Sequence, residues 1–406
     1  RLRLSLRWLR PQSSRGTAGG ATTWLEKGSI PPSSFVSFNQ LIGNDIQWDE
    51  HPVGISKDVV FASDAPILGV GGFGVVRAAE WLRRRVAVKQ LHNVGAEQVR
   101  LFRREAKLLT SMESHPHLCA CFGSCLLGGI PSIILDIHEG GTLEQALNIG
   151  DAYDETRSIA AELRQFNARW HLAPQLASAL AHLHHRDILH CDIKPSNVLL
   201  NSARDHAVLS DFGLARRMMF DSNNTPVTTT FRYAAPETVW DSYTPAADVY
   251  SFGLLLWTLA YVEICFSAYT GINVILLLHD NPDERPPLSP PPRTDNDPEA
   301  PHAVKVAASS WEGISTLLHD CWHANKARRP AIRDVVARLS EYDRTTEMVT
   351  GSDLRDSDGL SNGSCMKSIF TDRSRCVSQT SSTSSGCLVP SYLPAEHTTF
   401  ALSIEM

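Results

Sequence analysis

Asp192 stands two residues before Lys194 and five before Asn197, and Asp211-Phe212-Gly213 begins nineteen residues after Asp192. One carboxylate beside a lysine and an asparagine, with a second ahead of a glycine, is equipment for steering a hydroxyl onto a magnesium-bound phosphate. Phosphoryl transfer passes through a loose, highly charged arrangement. It needs acceptors for a metal and donors for phosphate more than it needs a strong nucleophile. Oxygens of Asp and Asn suit Mg²⁺, which keeps waters and takes few protein ligands. Either fragment alone is more often a polar turn than a site, and it is their order in one chain that favours chemistry.

Upstream, Leu68-Gly69-Val70-Gly71-Gly72-Phe73-Gly74-Val75-Val76 places glycines where a backbone can approach phosphates closely. A dinucleotide-binding fingerprint shares this spacing, but its third glycine opens a helix and an acidic residue follows about twenty positions on. Here 75–78 and 86–89 both read as strands, parted by a charged turn over 81–85, which predicts a hairpin. Lys89 ends the second apolar strand, where burying its charge is costly unless it is paired; a lysine that snorkels to water is the alternative. From Ala96 to Met112, the recurrence of Val99, Phe102, Ala106 and Leu109 predicts an amphipathic helix. Glu105 lies on its inner flank and is the chosen partner of Lys89, with Glu97 and Glu113 as alternatives at the helix ends.

The run His190-Cys191-Asp192-Ile193-Lys194-Pro195-Ser196-Asn197, with Asp211-Phe212-Gly213, resembles the catalytic loop and metal motif of eukaryotic protein kinases. Cys191 departs from the family, which usually has Arg there. The resemblance implies that Asp192 orients the substrate hydroxyl and accepts its proton, that Lys194 neutralises the γ-phosphate, and that Asn197 and Asp211 hold Mg²⁺. His190 is structural in this alignment. Val86-Ala87-Val88-Lys89 nearly matches the family's V-A-I-K, so Lys89, paired with Glu105, would hold the α- and β-phosphates. Leu68 to Gly74, Val76, Ala87 and Leu199 would line the ATP site. Leu135 aligns as gatekeeper, and the backbones of Asp136 and His138 would meet the adenine edge.

The resemblance extends further along the chain. The polar stretch after Asp211 ends in Ala235-Pro236-Glu237 like an activation segment, with Thr230 where serine/threonine kinases place a threonine that bonds the catalytic Asp and Lys. That threonine and Lys194 favour Ser and Thr over Tyr as acceptors. Asp248 would tie down the backbone of the catalytic loop, and Arg329 would form a buried ion pair with Glu237. Cys321-Trp322 ahead of Arg329-Pro330, with Arg285-Pro286-Pro287, leans toward the tyrosine-kinase-like group of serine/threonine kinases. In the family, the Arg replaced by Cys191 receives a phosphate on the activation segment. A neutral thiol cannot form that pair, which predicts a loop ordered without phosphorylation at Thr228 or Thr229.

The resemblance implies a two-lobed α+β fold, protein kinase-like, with an antiparallel β-rich N-lobe carrying one helix, a mainly α-helical C-lobe, and ATP between. We expect the catalytic unit at 58–340, with the N-lobe at about 58–135, the C-lobe at about 140–340 and a Pro-rich insertion at about 286–303. A basic disordered segment over 1–57 and a Ser/Thr-rich disordered tail over 345–406 would flank it. Five arginines in the first fifteen residues also fit an organelle transit peptide or a fragment of a longer chain. The apolar run from Asp248 to Tyr261 is bracketed by Asp248 and Glu263, too short for the ~20 residues of a membrane span. The shorter run from Gly271 to His279 reads as an ordinary core helix.

The formal charge of −6 comes with no basic stripe of the nucleic-acid type. Cys119, Cys121 and Cys125 lack a paired downstream half of a zinc site and read as small core residues. The other six cysteines show no framework spacing, which predicts a reduced, intracellular and cytoplasmic setting. The expected activity is transfer of the γ-phosphoryl of ATP to Ser or Thr of protein substrates. The alternative is a pseudokinase that binds ATP as a scaffold.

Overall fold

The structure, a computed structural model, describes residues 54–71, 74–91, 95–218, 231–289 and 308–341. The N-terminal basic segment, the tail, Gly72, Phe73, the stretch containing Thr228, Thr229 and Thr230, and the Pro-rich residues 290–303 lie outside the described residues.

The N-lobe sheet comprises β1 (Val59–Val60), β2 (Ile67–Gly71), β3 (Gly74–Trp81), β4 (Arg84–Leu91), β5 (Cys121–Leu127) and β6 (Ile130–Asp136). Its order is β1-β3-β4-β6-β5, with β2 also on β3, and every pairing is antiparallel. The hairpin predicted by the glycine-rich segment is present, but its turn is tighter than the 81–85 expected. Only Leu82 and Arg83 turn, both at positive φ (49° and 65°), while Trp81, Arg84 and Arg85 pair in the strands. Two-residue hairpins favour such left-handed geometry, usually with Gly or Asn. Neither residue type is there to advertise it.

Alternation along β4 decides where Lys89 goes. Val86 and Val88 pack on one face with Ala79, Cys125 and Ile134. Leu91, on the face shared by Ala87 and Lys89, joins Val99 and Phe102 of α1 (Ala96–Ser111). The strand thus turns its lysine toward the helix that the apolar period predicts.

The C-lobe contains α2 (Leu143–Leu147), α3 (Phe166–Trp170), α4 (Leu172–His185), α5 (Pro245–Tyr261), α6 (Gly271–Asp280), α7 (Ala308–Cys321) and α8 (332–341). Short strands β7 (Gly141–Thr142), β8 (Ile188–Leu189), β9 (Val198–Leu200), β10 (Ala207–Leu209) and β11 (Arg216–Arg217) carry the loops of the site. Every residue of α5 from Ala247 to Ala260 is buried, including Asp248. Gly253 permits that burial, because a Cβ there would lie 2.8 Å from the Cys321 Cβ. The α5 C-terminus is closed by Arg169, whose Nε donates to Leu259 O at 2.8 Å and Nη2 to Ala260 O at 3.3 Å, a cation on the negative end of the helix. No described helix is long and apolar enough to cross a membrane.

Arg329 meets Glu237 in a two-pronged pair, Nη1 to Oε1 at 2.5 Å and Nη2 to Oε2 at 3.0 Å, and lies 4.8 Å from the Tyr250 ring centre. Arg285 donates to Trp322 O at 2.8 Å, and Trp257 Nε1 to Pro287 O at 2.9 Å, which pins the start of the Pro-rich connection. The α6 helix corrects one expectation. Val274, Ile275 and Leu278 are buried, but Ile272 and Leu276 are exposed, so the helix is amphipathic rather than wholly core.

Candidate active site

Strand register assembles the upper half of the site. Gly69 of β2 stands opposite Val76 of β3, Val76 opposite Lys89 of β4, and Lys89 opposite Ile133 of β6, one row across four strands. Ala87 pairs with Leu135, so the aligned gatekeeper sits beside a residue aligned with the lining of the ATP site. Leu68, Gly69, Val70 and Gly71 all lie on exposed β2. A Cβ at Gly69 or Gly71 would meet no protein atom within 4 Å, whereas one at Gly74 would lie 2.1 Å from Gln90 O. Gly74 is therefore required by strand packing, and Gly69 and Gly71 are free to serve a ligand.

Lys89 is buried and forms two ion pairs, Nζ to Glu105 Oε1 at 2.7 Å and Nζ to Asp211 Oδ1 at 2.9 Å. Burial works against its charge, but the two carboxylates outweigh it and raise its pKa above the ordinary lysine value. Glu105 is the partner proposed from the helical period. Glu113 instead pairs with Arg186, and the Glu97 side chain is outside the described residues. The neighbouring Arg104 fastens the helix to the segment after Asp211, donating from Nη2 to Ala215 O at 2.9 Å.

The lower half is one network. Asn197 donates from Nδ2 to both O and Oδ2 of Asp192, each at 2.8 Å, and Lys194 Nζ approaches the same Oδ2 at 2.8 Å. This leaves Asp192 Oδ1 and Asn197 Oδ1 as the oxygens on offer. Ser210 donates from both N and Oγ to Asn197 O at 2.9 Å, coupling Asn197 to the residue just before Asp211. Asp211 takes a positive φ of 60° and its carboxyl is held low: burial raises it, but Lys89 more than compensates.

Beneath the loop lies Asp248, fully buried. It accepts from His190 N, Cys191 N, His184 Nε2 and the Tyr243 hydroxyl, all at 2.9 Å. His190 is buried, with Nε2 at 3.2 Å from Ser210 O and its ring 5.1 Å from that of Phe212. Cys191, at φ 65°, packs with Leu189, Leu214 and Tyr243, and burial pushes its thiol pKa well up. The roles of Ser210, His184 and Tyr243 had no signal in sequence, because each acts through a contact made by the fold.

At the hinge, the Asp136 side chain pairs with Arg84, its N–H donates to Ala120 O at 2.9 Å, and its carbonyl lies 3.9 Å from the Cys119 thiol. His138 O accepts a long 3.4 Å bond from Gly141 N. Leu199 is half-buried between buried Val198 and Leu200 and stands opposite Thr142. Cys119 and Cys121 approach separate backbone carbonyls and Cys125 packs in the outer N-lobe core, so the three thiols do not converge. All six described cysteines are free, and no group of three or more His, Cys, Asp or Glu among the described residues could hold a metal.

Residues 63–339 match the protein kinase domain family. The chain belongs to that family. A seven transmembrane domain-containing tyrosine-protein kinase of Dictyostelium discoideum is 29 % identical over 65 % of this chain, which spans 36 % of that protein. A mitogen-activated protein kinase kinase kinase 7-like protein of Drosophila melanogaster is 30 % identical over 72 % of the chain, covering 70 % of its own length. A serine/threonine/tyrosine-protein kinase of Arabidopsis thaliana is 27 % identical over 76 % of the chain and 72 % of its own length. The two-lobed α+β architecture agrees with the family.

Proposed function

We propose that this kinase domain transfers the γ-phosphoryl group of ATP to Ser or Thr hydroxyls of protein substrates. The observation that carries the reading is Lys89 held at once by Glu105 and Asp211, with Asp192, Lys194 and Asn197 already joined beneath. A scaffold that had lost transfer would have no use for that complete set.

The donor set fits Mg²⁺: Asn197 Oδ1 and Asp211 Oδ2 are oxygens not engaged by the contacts above, and Mg²⁺ takes one or two such ligands together with phosphates. When bound, the ion would neutralise charge on the phosphates. Asp192 Oδ1 receives the proton of the substrate hydroxyl as its oxygen bonds to the γ-phosphorus and the bond to ADP breaks. Lys194 and Lys89 supply positive charge to the phosphates, and Gly69 and Gly71 let the strand backbone cover them. The Asp136 and His138 backbones serve the adenine edge, with Val76, Ala87 and Leu199 above and below.

Lys194 and Thr230 support Ser and Thr as acceptors, and the similarity to a kinase kinase kinase supports the tyrosine-kinase-like group. Asp248 holds the His190 and Cys191 amides, and the Cys191 thiol packs with Leu189, Leu214 and Tyr243 beside Arg216. These contacts support the reading that the loop needs no phosphate on the activation segment for its order. Strict dependence of activity on a phosphate at Thr228 or Thr229 would contradict this.

Radiolabelled ATP with Mg²⁺ and a mixed protein substrate, followed by phosphoamino acid analysis, tests the assignment. Phosphoserine or phosphothreonine is expected, and Lys89→Met should abolish it. Phosphotyrosine alone overturns the specificity. ATP binding in a thermal-shift titration without any transfer supports the scaffold reading.

A further inference from the structure

The end of the activation segment is fastened to the C-lobe at several points. Tyr233 is buried in the core that contains α5, its hydroxyl 3.3 Å from Thr258 Oγ1. Thr238 Oγ1 donates to Ala235 O at 2.6 Å, and Glu237 meets Arg329. Arg232 reaches elsewhere, to the loop joining α5 and α6. Its Nη1 donates to Cys265 O at 3.0 Å and to Phe266 O, and its Nη2 donates to Tyr269 O at 2.8 Å. The contact is returned, since the Cys265 thiol approaches Arg232 O at 3.9 Å.

Among the described residues the partners of this guanidinium are those carbonyls and no carboxylate, so it acts as a fastener rather than as half of an ion pair. Its planar fork suits the task. Two nitrogens reach carbonyls spread over residues 265–269, which a single ammonium cannot do. The loop is shaped for the contact. Phe266 takes a left-handed φ of 54°, unfavourable for a residue with a Cβ, and its oxygen also accepts from Tyr269 N at 3.0 Å. Cys265 is fully buried, which roots the loop in the core.

We propose that Arg232 is a positioning residue for the protein acceptor. By clasping the α5–α6 loop it fixes the part of the activation segment against which the acceptor polypeptide lies, and it touches neither ATP nor the reacting atoms. The proposal rests on the kinase reading for what is positioned, while the clasp itself rests on geometry alone. Its consequence is a split in the kinetics. Without the clasp only a fraction of molecules holds the competent segment, and the apparent affinity for acceptor falls by that fraction. Once bound, the acceptor hydroxyl still meets an unaltered Asp192, Lys194 and Asn197.

Initial rates of radiolabel transfer on the full chain, with ATP and a protein acceptor varied in turn, provide the test. Arg232→Met keeps the length of the stem and has no donor. It should raise the KM for the acceptor at least about tenfold, with kcat and the KM for ATP within about twofold of the parent. Arg232→Lys, which keeps the charge without the fork, should fall between. Dilute ethylguanidinium should restore acceptor affinity to Arg232→Gly and leave the parent unaffected. An unchanged acceptor KM in folded Arg232→Met overturns the proposal. So does an equal rise in both KM values, which would mark a general loosening of the domain. Hydrogen exchange gives a readout free of activity. In Arg232→Met the amides of 231–238 and of 266–270 should lose protection together, while those of β4 keep theirs. Loss confined to one segment, or to neither, overturns the clasp. If the parent transfers nothing, the kinase reading fails, and the exchange result alone decides whether the clasp stands.

Discussion

Asp248→Asn keeps the shape of the side chain and removes one acceptor oxygen at a buried position where four donors converge. Oδ2 receives His184 Nε2 and His190 N, while Oδ1 receives Cys191 N and the Tyr243 hydroxyl. An amide NH₂ cannot accept, so whichever way the new group turns, one backbone N–H and one side-chain donor lose their partner. Each unsatisfied buried donor costs about 1–3 kcal/mol, giving about 2–6 kcal/mol for the pair. For a domain of this size each kcal/mol lowers Tm by about 2–4 °C, so a fall of about 4–24 °C is expected. Because the lost bonds hold His190 and Cys191 directly before Asp192, transfer should fall about a hundredfold even below the new Tm. Thermal melts by circular dichroism and radiolabel transfer on the same samples measure both. A Tm within about 2 °C of the parent together with undiminished transfer would refute the claim that Asp248 fixes the loop. The acid limb provides a second check. Burial raises the Asp248 carboxyl, but His184 and the His190 amide outweigh it and bring it below 3.8, so its stabilisation is present above that pH and lost below it.

Three further outcomes follow from other contacts. Arg329→Gln leaves Glu237 without its two-pronged partner and should cost about 3–5 kcal/mol in urea denaturation; a loss under about 1 kcal/mol would contradict the pairing. Gly74→Ala should destabilise the fold because its Cβ must displace Gln90 O, whereas Gly69→Ala and Gly71→Ala should leave Tm unchanged and raise the KM for ATP. Burial, with His182, His117 and Arg186 nearby, lowers the His115 pKa from 6.5 to about 4. The unfolded chain therefore binds that proton first, and stability should fall as the pH drops from 6.5 toward 4 and then level. His115→Asn, which keeps an acceptor for His117 N, should flatten that slope; an unchanged slope counts against the assignment.

Features with a short physical period were legible before the fold was known. The spacing of Val99, Phe102, Ala106 and Leu109 located α1 and put Glu105 on the side facing Lys89, because a helix repeats every 3.6 residues and β4 every two. The Asp248 and Glu237–Arg329 contacts were legible only through the family resemblance. Their partners are decades of residues apart, and nothing local announces them. Gly74 read as a phosphate-covering glycine, and the fold adds a second requirement that sequence could not show, since a Cβ there would meet Gln90 O. The run from Gly271 to His279 hid its two faces because both are apolar, and only packing separates buried Val274, Ile275 and Leu278 from exposed Ile272 and Leu276. Leu82 and Arg83 concealed a tight turn for want of Gly or Asn.

The central claim is that Asp192 takes the proton of a protein hydroxyl during transfer from ATP, and Asp192→Asn in single-turnover transfer tests it most directly. Asparagine can still receive the Lys194 and Asn197 contacts through its amide oxygen but cannot accept the hydroxyl proton. ATP binding with Mg²⁺ and Tm should stay near the parent values, while the transfer step slows by about a hundredfold or more. Transfer by Asp192→Asn at the parent rate would contradict the assignment.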